Sequence, residues 1–187
     1  MKLSRTPTPQ VSTQAVSAAT LEALRAFPDL LAAHFALFPV GRRHWAPASW
    51  SGVPSEALTA IEQLCHLRDI EIEGYQRRIQ RALAEDDPFL PSIDTDALAR
   101  ERRYGDADPV EALESFRQAR AQTIALIREL TPQQLARPAQ FEGYGPVTLR
   151  GLIHFLCSHD HQHLAGLQWL LGRIHSAGDS SPTDILE

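Results

Sequence analysis

The sequence predicts an all-α protein, a four-helix bundle with one long connection between its second and third helices. Four long segments carry apolar residues at helical spacing, and strand-like alternation is almost absent. The 187 residues, of which 43% are hydrophobic and 22% charged, suit a soluble globular protein with a substantial core. We therefore expect residues 1–187 to form a single domain, with flexible ends at about residues 1–13 and 176–187.

The first predicted helix runs from about Thr13 to Phe38, where Leu and Phe side chains recur at helical spacing. Pro28 inside it indicates either a kink or a later start. A connection rich in Pro, Gly and Trp follows, and the second helix is expected from about Ser55 to Ala84. The apolar stripe of this second helix consists of Ile61, Cys65, Ile72, Tyr75, Ile79 and Leu83.

The connection after the second helix is too long to be structureless, and a short helical turn is expected near Asp96 to Arg102. Asp108 and Pro109 predict the start of the third long helix, as its N-cap and first-turn residues. A short helix from Thr131 to Leu135 follows, and then a turn or small hairpin near residues 141–146.

The fourth predicted helix, from about Thr148 to Ile174, carries the most informative pattern of the chain. Four of the eight histidines fall within ten consecutive residues of it. Residues four apart lie one above the other on a helix, so His159 and His163 share a face with several leucines. That face should point into the protein, whereas His154 and His161 should be exposed or interfacial.

Two imidazoles one turn apart on a buried face either grip one metal ion or are ordinary buried histidines. His66 lies among polar residues of the second helix, and in a bundle it could meet His159 and His163 across the interior. Three protein ligands would leave a coordination position open, which is typical of catalytic metal sites. Acids that could assist as bases, as supporting groups or as a fourth ligand are Glu62, Asp69, Glu73 and Asp160.

The bulk properties exclude several classes of protein. The net charge of −5 gives no broad surface for nucleic acid, and the chain has no apolar run long enough to span a membrane. The first residues lack the apolar core of a signal peptide, and two cysteines are too few for a disulfide scaffold. We therefore expect a cytoplasmic protein with reduced thiols that binds neither nucleic acid nor membranes.

Seven short segments, in order along the chain, resemble the DinB superfamily, particularly its DinB/YfiT-like members. The resemblance covers roughly residues 20 to 174. The segments are Trp45-Ala-Pro47, His66-Leu67-Arg-Asp69-Ile-Glu71, Arg103-Tyr104, Pro109 to Arg117, Leu130 to Pro138, Gly145 to Leu149, and His159-Asp160-His161-Gln-His163-Leu164. The histidine followed by a His-x-x-x-His pair is the most specific of these features.

This resemblance implies an up-down-down-up bundle, a homodimer, and a divalent metal ion held by His66, His159 and His163. Zn or Ni is the expected ion, with Fe or Mn as alternatives, because imidazole ligation does not choose among them. The family does not share one reaction, and its fold does not identify a substrate.

Three functions follow from the resemblance. The first is transfer of a low-molecular-weight thiol, such as bacillithiol or mycothiol, onto a small electrophile; Arg102, Arg103 or Arg117 would recognise an acidic thiol. The second is metal-dependent hydrolysis, in which the ion activates water rather than a thiol. The third is stress-related binding of a metal or small molecule without turnover. The first two reactions need the same three histidines, so the sequence does not separate them.

Overall fold

The computed structural model describes residues 15–178 and places four long helical rods at the centre of the fold. Helix α1 is the first rod, and α5 and α7 are the third and fourth. The second rod joins α2, a π-helical segment and α3 end to end. The bounds are Ala18–Ala36 (α1), Ala60–Asp69 (α2), Ile70–Gln76 (π-helical segment), Arg77–Ala84 (α3), Thr95–Glu101 (α4), Pro109–Arg128 (α5), Pro132–Leu135 (α6) and Leu149–Gly178 (α7).

Helix α1 begins later than its apolar pattern predicts. The hydroxyl of Ser17 caps it by accepting a hydrogen bond from Thr20 N at 3.1 Å, so the first helical residue is Ala18. The predicted start at Thr13 lies outside the described residues. Pro28 lies inside the helix and is buried, and the helix continues through it to Ala36.

Helix α2 also begins later than predicted, and this shift shapes the functional site. The predicted first residue, Ser55, lies in a loop, and the helix starts at Ala60. The cap is Thr59, whose backbone N–H and hydroxyl donate to Glu62 Oε2 at 2.8 and 2.7 Å. Residues 54–58 are therefore free to fold across the bundle instead of continuing the helix.

The π-helical segment changes which side chains the second rod turns inward. Its wider turn breaks the helical register from which the apolar stripe was predicted. Ile72, predicted to be buried, is 36% exposed, whereas the Glu71 carboxylate is only 1% exposed. Tyr75, four residues after Glu71, stays in the core.

The predicted all-α class is corrected by a small sheet, which has three strands within the described residues. Strand β1 (Phe89–Leu90) lies in the connection after α3 and pairs in parallel with β2 (Pro138–Phe141). Strand β2 pairs in antiparallel fashion with β3 (Gly145–Thr148), which makes the predicted hairpin. The sheet fixes the connection against the start of α7, and α4 forms where a helical turn was expected.

Helix α7 is longer than predicted. Thr148 caps it by accepting a hydrogen bond from Gly151 N at 3.1 Å, and the helix runs through Gly172 to Gly178. The helix passes its expected end at about Ile174, and residues 176–178, predicted to be flexible, are helical. The rest of the predicted tail lies outside the described residues.

The four rods pack as a bundle in which α1 and the second rod each contact α5 and α7. One interaction reaches all four of them. The Arg120 guanidinium on α5 donates to both oxygens of Glu71, to both oxygens of Asp160 on α7, and to Leu24 O on α1. Among residues 15–178, no helix is both long and apolar enough to cross a membrane.

Candidate metal centre

His159 and His163 lie on the buried side of α7, as their spacing predicts. His163 is fully buried and His159 partly so, and their ring centroids are 4.6 Å apart. His154 and His161 point to solvent from the same helix. The helical repeat, with Leu152, Leu156 and Leu167 buried beside the two rings, fixes this division.

His66 on α2 completes a group of three imidazoles. Its Nε2 lies 3.1 Å from His159 Nε2, and its ring centroid lies 4.6 Å from that of His163. The His66 ring is only 1% exposed, although its neighbours in the sequence are polar. The structure therefore brings together the three histidines that the sequence singled out.

Glu56 is a fourth member of the group that the sequence analysis missed. Its Oε2 lies 3.1 Å from His163 Nε2, and its Oε1 lies 3.8 Å from His66 Nε2. One donor atom from each of Glu56, His66, His159 and His163 lies within 4.8 Å of the other three. Placing the start of α2 at Ser55 hid this residue, because Glu56 belongs to the loop that folds back over the bundle.

Gly166 on α7 allows that loop to approach. A methyl group at this position would clash with Ser55 Oγ and come within 3.0 Å of Gln63 Oε1. The absence of a side chain lets residue 55 lie directly against the helix, and this contact carries Glu56 to the histidines.

The His163 ring is oriented by a buried amide. His163 Nδ1 lies 3.1 Å from Gln63 Oε1, while Gln63 Nε2 donates to Leu58 O at 3.3 Å. Since the amide nitrogen donates to Leu58, the amide oxygen accepts a hydrogen bond, and the donor is the N–H group at His163 Nδ1. The lone pair of His163 Nε2 is then directed at the cluster. A hydrogen bond of this kind typically fixes the tautomer of a metal-binding histidine.

Burial favours the neutral form of two of the rings. It lowers the pKa of His66 to about 3, and the neighbouring His163 lowers it further. The pKa of His159 is lowered well below its usual range by burial and by His163 and His66. Burial acts to raise the pKa of Glu56, but its contact with His163 at 3.1 Å outweighs this effect, so the pKa of Glu56 is low. Neutral imidazoles beside an ionised carboxylate are the protonation states of a metal-binding set.

The donor set and its surroundings fit a divalent cation. Imidazole nitrogen and carboxylate oxygen are ligands that Zn, Ni, Fe and Mn all accept. His163 Nε2 is buried and makes no hydrogen bond of acceptable geometry, although Glu56 Oε2 is close. A buried nitrogen left without a hydrogen bond is costly, and an ion among the four donors would satisfy it.

The acids suggested by the sequence lie in other interactions. Glu62 caps α2, and Asp160 binds Arg120. Asp69 accepts hydrogen bonds from Arg68 and Tyr104, and both Asp69 and Glu73 pair with Arg102. None of the four belongs to the histidine cluster.

The arginines suggested for recognising an acidic thiol are also engaged. Arg102 pairs with Asp69 and Glu73, Arg103 with Asp106, and Arg117 with Asp29. The thiols of the chain lie away from the histidine cluster as well. Cys65 is buried with its Sγ 3.8 Å from Tyr104 O, and Cys157 lies beside His161.

A cleft of about 130 Å³ opens from the cluster to solvent. Glu56, His66 and His159 line it together with residues of the π-helical segment, of α3, of the connection that follows α3 as far as the start of α4, and of the β2–β3 hairpin. The latter include Tyr75, Arg78, Ile93, Thr95, Phe141 and Tyr144. The π-helical segment, which the sequence did not predict, supplies Ile70 and Tyr75 to the wall of this cleft, and the β2–β3 hairpin supplies Phe141 and Tyr144.

Comparison with known proteins gives the family of this chain and a solved structure of similar fold. No curated protein matches the chain. Among solved structures, YfiT from Bacillus subtilis is similar with a TM-score of 0.72 at 20% identity, over 91% of this chain and 94% of that one. YfiT is described as a probable metal-dependent hydrolase with an unusual four-helix bundle topology. The family model of the DinB superfamily matches residues 14–167, so this chain belongs to the DinB superfamily.

Proposed function

We propose that this protein is a metal-dependent hydrolase. His66, His159 and His163 hold a divalent metal ion, and Glu56 accepts a proton from water. The observation that supports this proposal is the convergence of three imidazoles and one carboxylate at the end of an open cleft. The description of YfiT as a probable metal-dependent hydrolase points in the same direction.

In this proposal the three histidines bind the ion, and Glu56 acts on water. Imidazole binds a metal ion as a neutral ligand, so the three rings, which come from two packed helices, would hold the cation without cancelling its charge. A divalent cation supplies Lewis-acid activation, which lowers the pKa of water toward about 7. The Glu56 side chain is 37% exposed, while His163 beside it is fully buried. Glu56 therefore lies where water enters, and as a carboxylate it takes up the proton as general base.

Thiol S-transfer is the second candidate. Neutral imidazoles leave the full positive charge of the ion available to a thiolate, which a metal ion favours over the thiol. Neither Cys65 nor Cys157 lines the cleft, so the thiol would be a small molecule such as bacillithiol. Glu56 favours hydrolysis over this reaction, because a metal-activated thiol needs no separate base of this kind.

The wider features of the proposal follow from the helix contacts and from the family. An up-down-down-up order is supported by the pairing of Glu71 and Gln76 on the second rod with Arg120 and Thr123 on α5. A homodimer is what the resemblance to the family implies, and we propose it for this chain. Light scattering of the purified protein tests the dimer.

Metal binding is tested by elemental analysis of protein purified without an affinity tag. The wild type should carry a divalent ion, and His163→Ala should lose it because one donor is gone. His161→Ala is the matched control, since it removes an exposed histidine from the same helix. Equal metal content in His163→Ala and the wild type would contradict the site.

Activity is tested with a panel of chromogenic esters and amides, with and without added thiol. Hydrolysis without thiol is expected for the wild type. Glu56→Gln should slow it by about 10²–10⁴-fold, because the base is lost. Turnover that appears only with thiol and electrophile would establish S-transfer instead. A protein that binds metal but turns over no substrate would be the non-catalytic module.

A further inference from the structure

Arg78 on α3 is a buried cation in the wall of the cleft. Its side chain lines the same space as Glu56, His66 and His159, and the residue is only 8% exposed. Nη2 donates one hydrogen bond, to Pro91 O at 3.0 Å. Within residues 15–178 no carboxylate lies in ion-pair range of it, and its near neighbours are the rings of Tyr75 and Phe141.

Arg120, the other arginine that is buried among residues 15–178, has the carboxylate partners that Arg78 lacks. Arg120 is 1% exposed and is neutralised by two carboxylates, Glu71 and Asp160, at 2.7–3.0 Å. Arg78 is nearly as deeply buried but has aromatic faces in place of those anions. Burying an unpaired charge is costly unless something compensates it. Burial accordingly lowers the pKa of Arg78.

The fold makes room for this guanidinium. Gly74 lies one turn earlier in the π-helical segment, and a Cβ there would stand 3.0 Å from Arg78 Nη1 and 3.3 Å from Ile70 Cγ2. The ring of Phe141 lies with its centroid 4.6 Å from Arg78 Cζ on the sheet side. Arg78 is thus held in a fitted slot between the π-helical segment and the sheet, beside the proposed metal centre.

We propose that Arg78 binds the carboxylate of a small acidic substrate whose apolar body lies against Tyr75 and Phe141. One buried guanidinium complements one negative charge and offers the paired N–H groups that a carboxylate accepts. The aromatic rings that flank the cation suit a flat hydrocarbon portion. This inference rests on the proposed function and gives it a substrate class, namely an ester or amide that carries a free carboxylate.

Binding of benzoate, measured by titration calorimetry, tests the proposal, with benzamide as the neutral analogue of the same shape. The wild type should bind benzoate, and Arg78→Gln should weaken binding by about 10–100-fold because a charge-assisted hydrogen-bonding pair is lost. Arg77→Gln is the matched control. It removes the same charge one position away, from an exposed arginine that does not line the cleft.

The titrations are made on metal-loaded protein and again after chelation. If benzoate binding depends on Arg78 in the chelated protein, carboxylate recognition is supported even when elemental analysis finds no metal or the ester panel shows no turnover. Loss of metal in His163→Ala tests the centre separately. Inorganic phosphate is titrated in parallel, and Arg78-dependent phosphate binding without benzoate binding would overturn the carboxylate class.

Two further variants keep the test decisive if Arg78→Gln does not fold. Arg78→Lys keeps the charge but not the paired donors, and Gly74→Ala places a methyl group against Nη1. Both should weaken benzoate binding several-fold, with far-ultraviolet circular dichroism unchanged. Benzoate binding that is equal in the wild type, Arg78→Lys and Gly74→Ala, or equal to benzamide binding, would overturn the proposal.

Discussion

Gln63 shows how a single side chain outside the group of four donors can govern the centre. Its Oε1 accepts a hydrogen bond from His163 Nδ1, and its Nε2 is fixed by donating a hydrogen bond to Leu58 O. Without that acceptor, the ring is free to turn over and to carry its proton on the other nitrogen, which removes the lone pair from the cluster.

We therefore expect Gln63→Leu to weaken metal binding by about 10–100-fold, measured by competition with a chromophoric chelator. Gln162→Leu is the control, because it removes an exposed glutamine next to His163. If the two variants bind metal equally well, the hydrogen bond does not orient the ring.

Among the secondary-structure elements, the approach of the loop of residues 54–58, which carries Glu56, to helix α7 depends on one glycine, Gly166. Gly166→Ala places a methyl group where Ser55 Oγ and Gln63 Oε1 now lie, so the loop or the helix has to move. Crowding of this kind costs about 1–3 kcal/mol, and here it also displaces Glu56 and Gln63 from the histidines. The free energy of unfolding and the metal affinity should both fall.

Gly172→Ala makes the same change six residues along α7, where nothing lies within 4 Å of the new methyl group. It should stabilise the protein by up to about 1 kcal/mol, because alanine favours the helix. Urea unfolding of both variants gives the measurement. A gain of stability in Gly166→Ala would show that the loop yields without cost.

The same elements explain what the sequence could and could not predict. His159 and His163 were identifiable because four-residue spacing fixes two side chains on one face of any helix. His66 was a weaker inference from polar neighbours, and its position opposite them became visible only in the packed bundle. Contacts across the bundle decide such positions, and local spacing does not report them.

Glu56 was hidden for a local reason. Ser55 and Thr59 are both suitable N-caps, and the choice between them decides whether Glu56 is helical. The reciprocal hydrogen bonds of Glu62 select Thr59. Two further features left no periodic signal at all. No residue pattern in Ile70–Gln76 distinguishes a π-helical segment from an α-helix. Strand β1 has only two residues and depends on β2 for its pairing.

In the described part of the molecule, Arg120 and its two carboxylates form a buried polar cluster that connects all four rods. Burial acts to lower the pKa of Arg120, but its two carboxylates raise it above the usual range, so the guanidinium stays charged. Burial raises the pKa of Asp160 to about 7, although Arg120 opposes this effect. Asp160 immediately follows His159, so the same contact sets how α7 presents its histidines to α2.

Removing the Arg120 guanidinium should therefore destabilise the bundle far more than removing one partner of an exposed ion pair. Arg120→Met leaves Glu71 and Asp160 buried without their partner and should cost about 3–5 kcal/mol in urea unfolding. Arg117→Met, three residues earlier on α5, breaks the exposed pair with Asp29 and should cost less than about 1 kcal/mol. Similar losses in the two variants would mean that the carboxylates take up protons or find water, and that apolar packing alone sets the order of the rods.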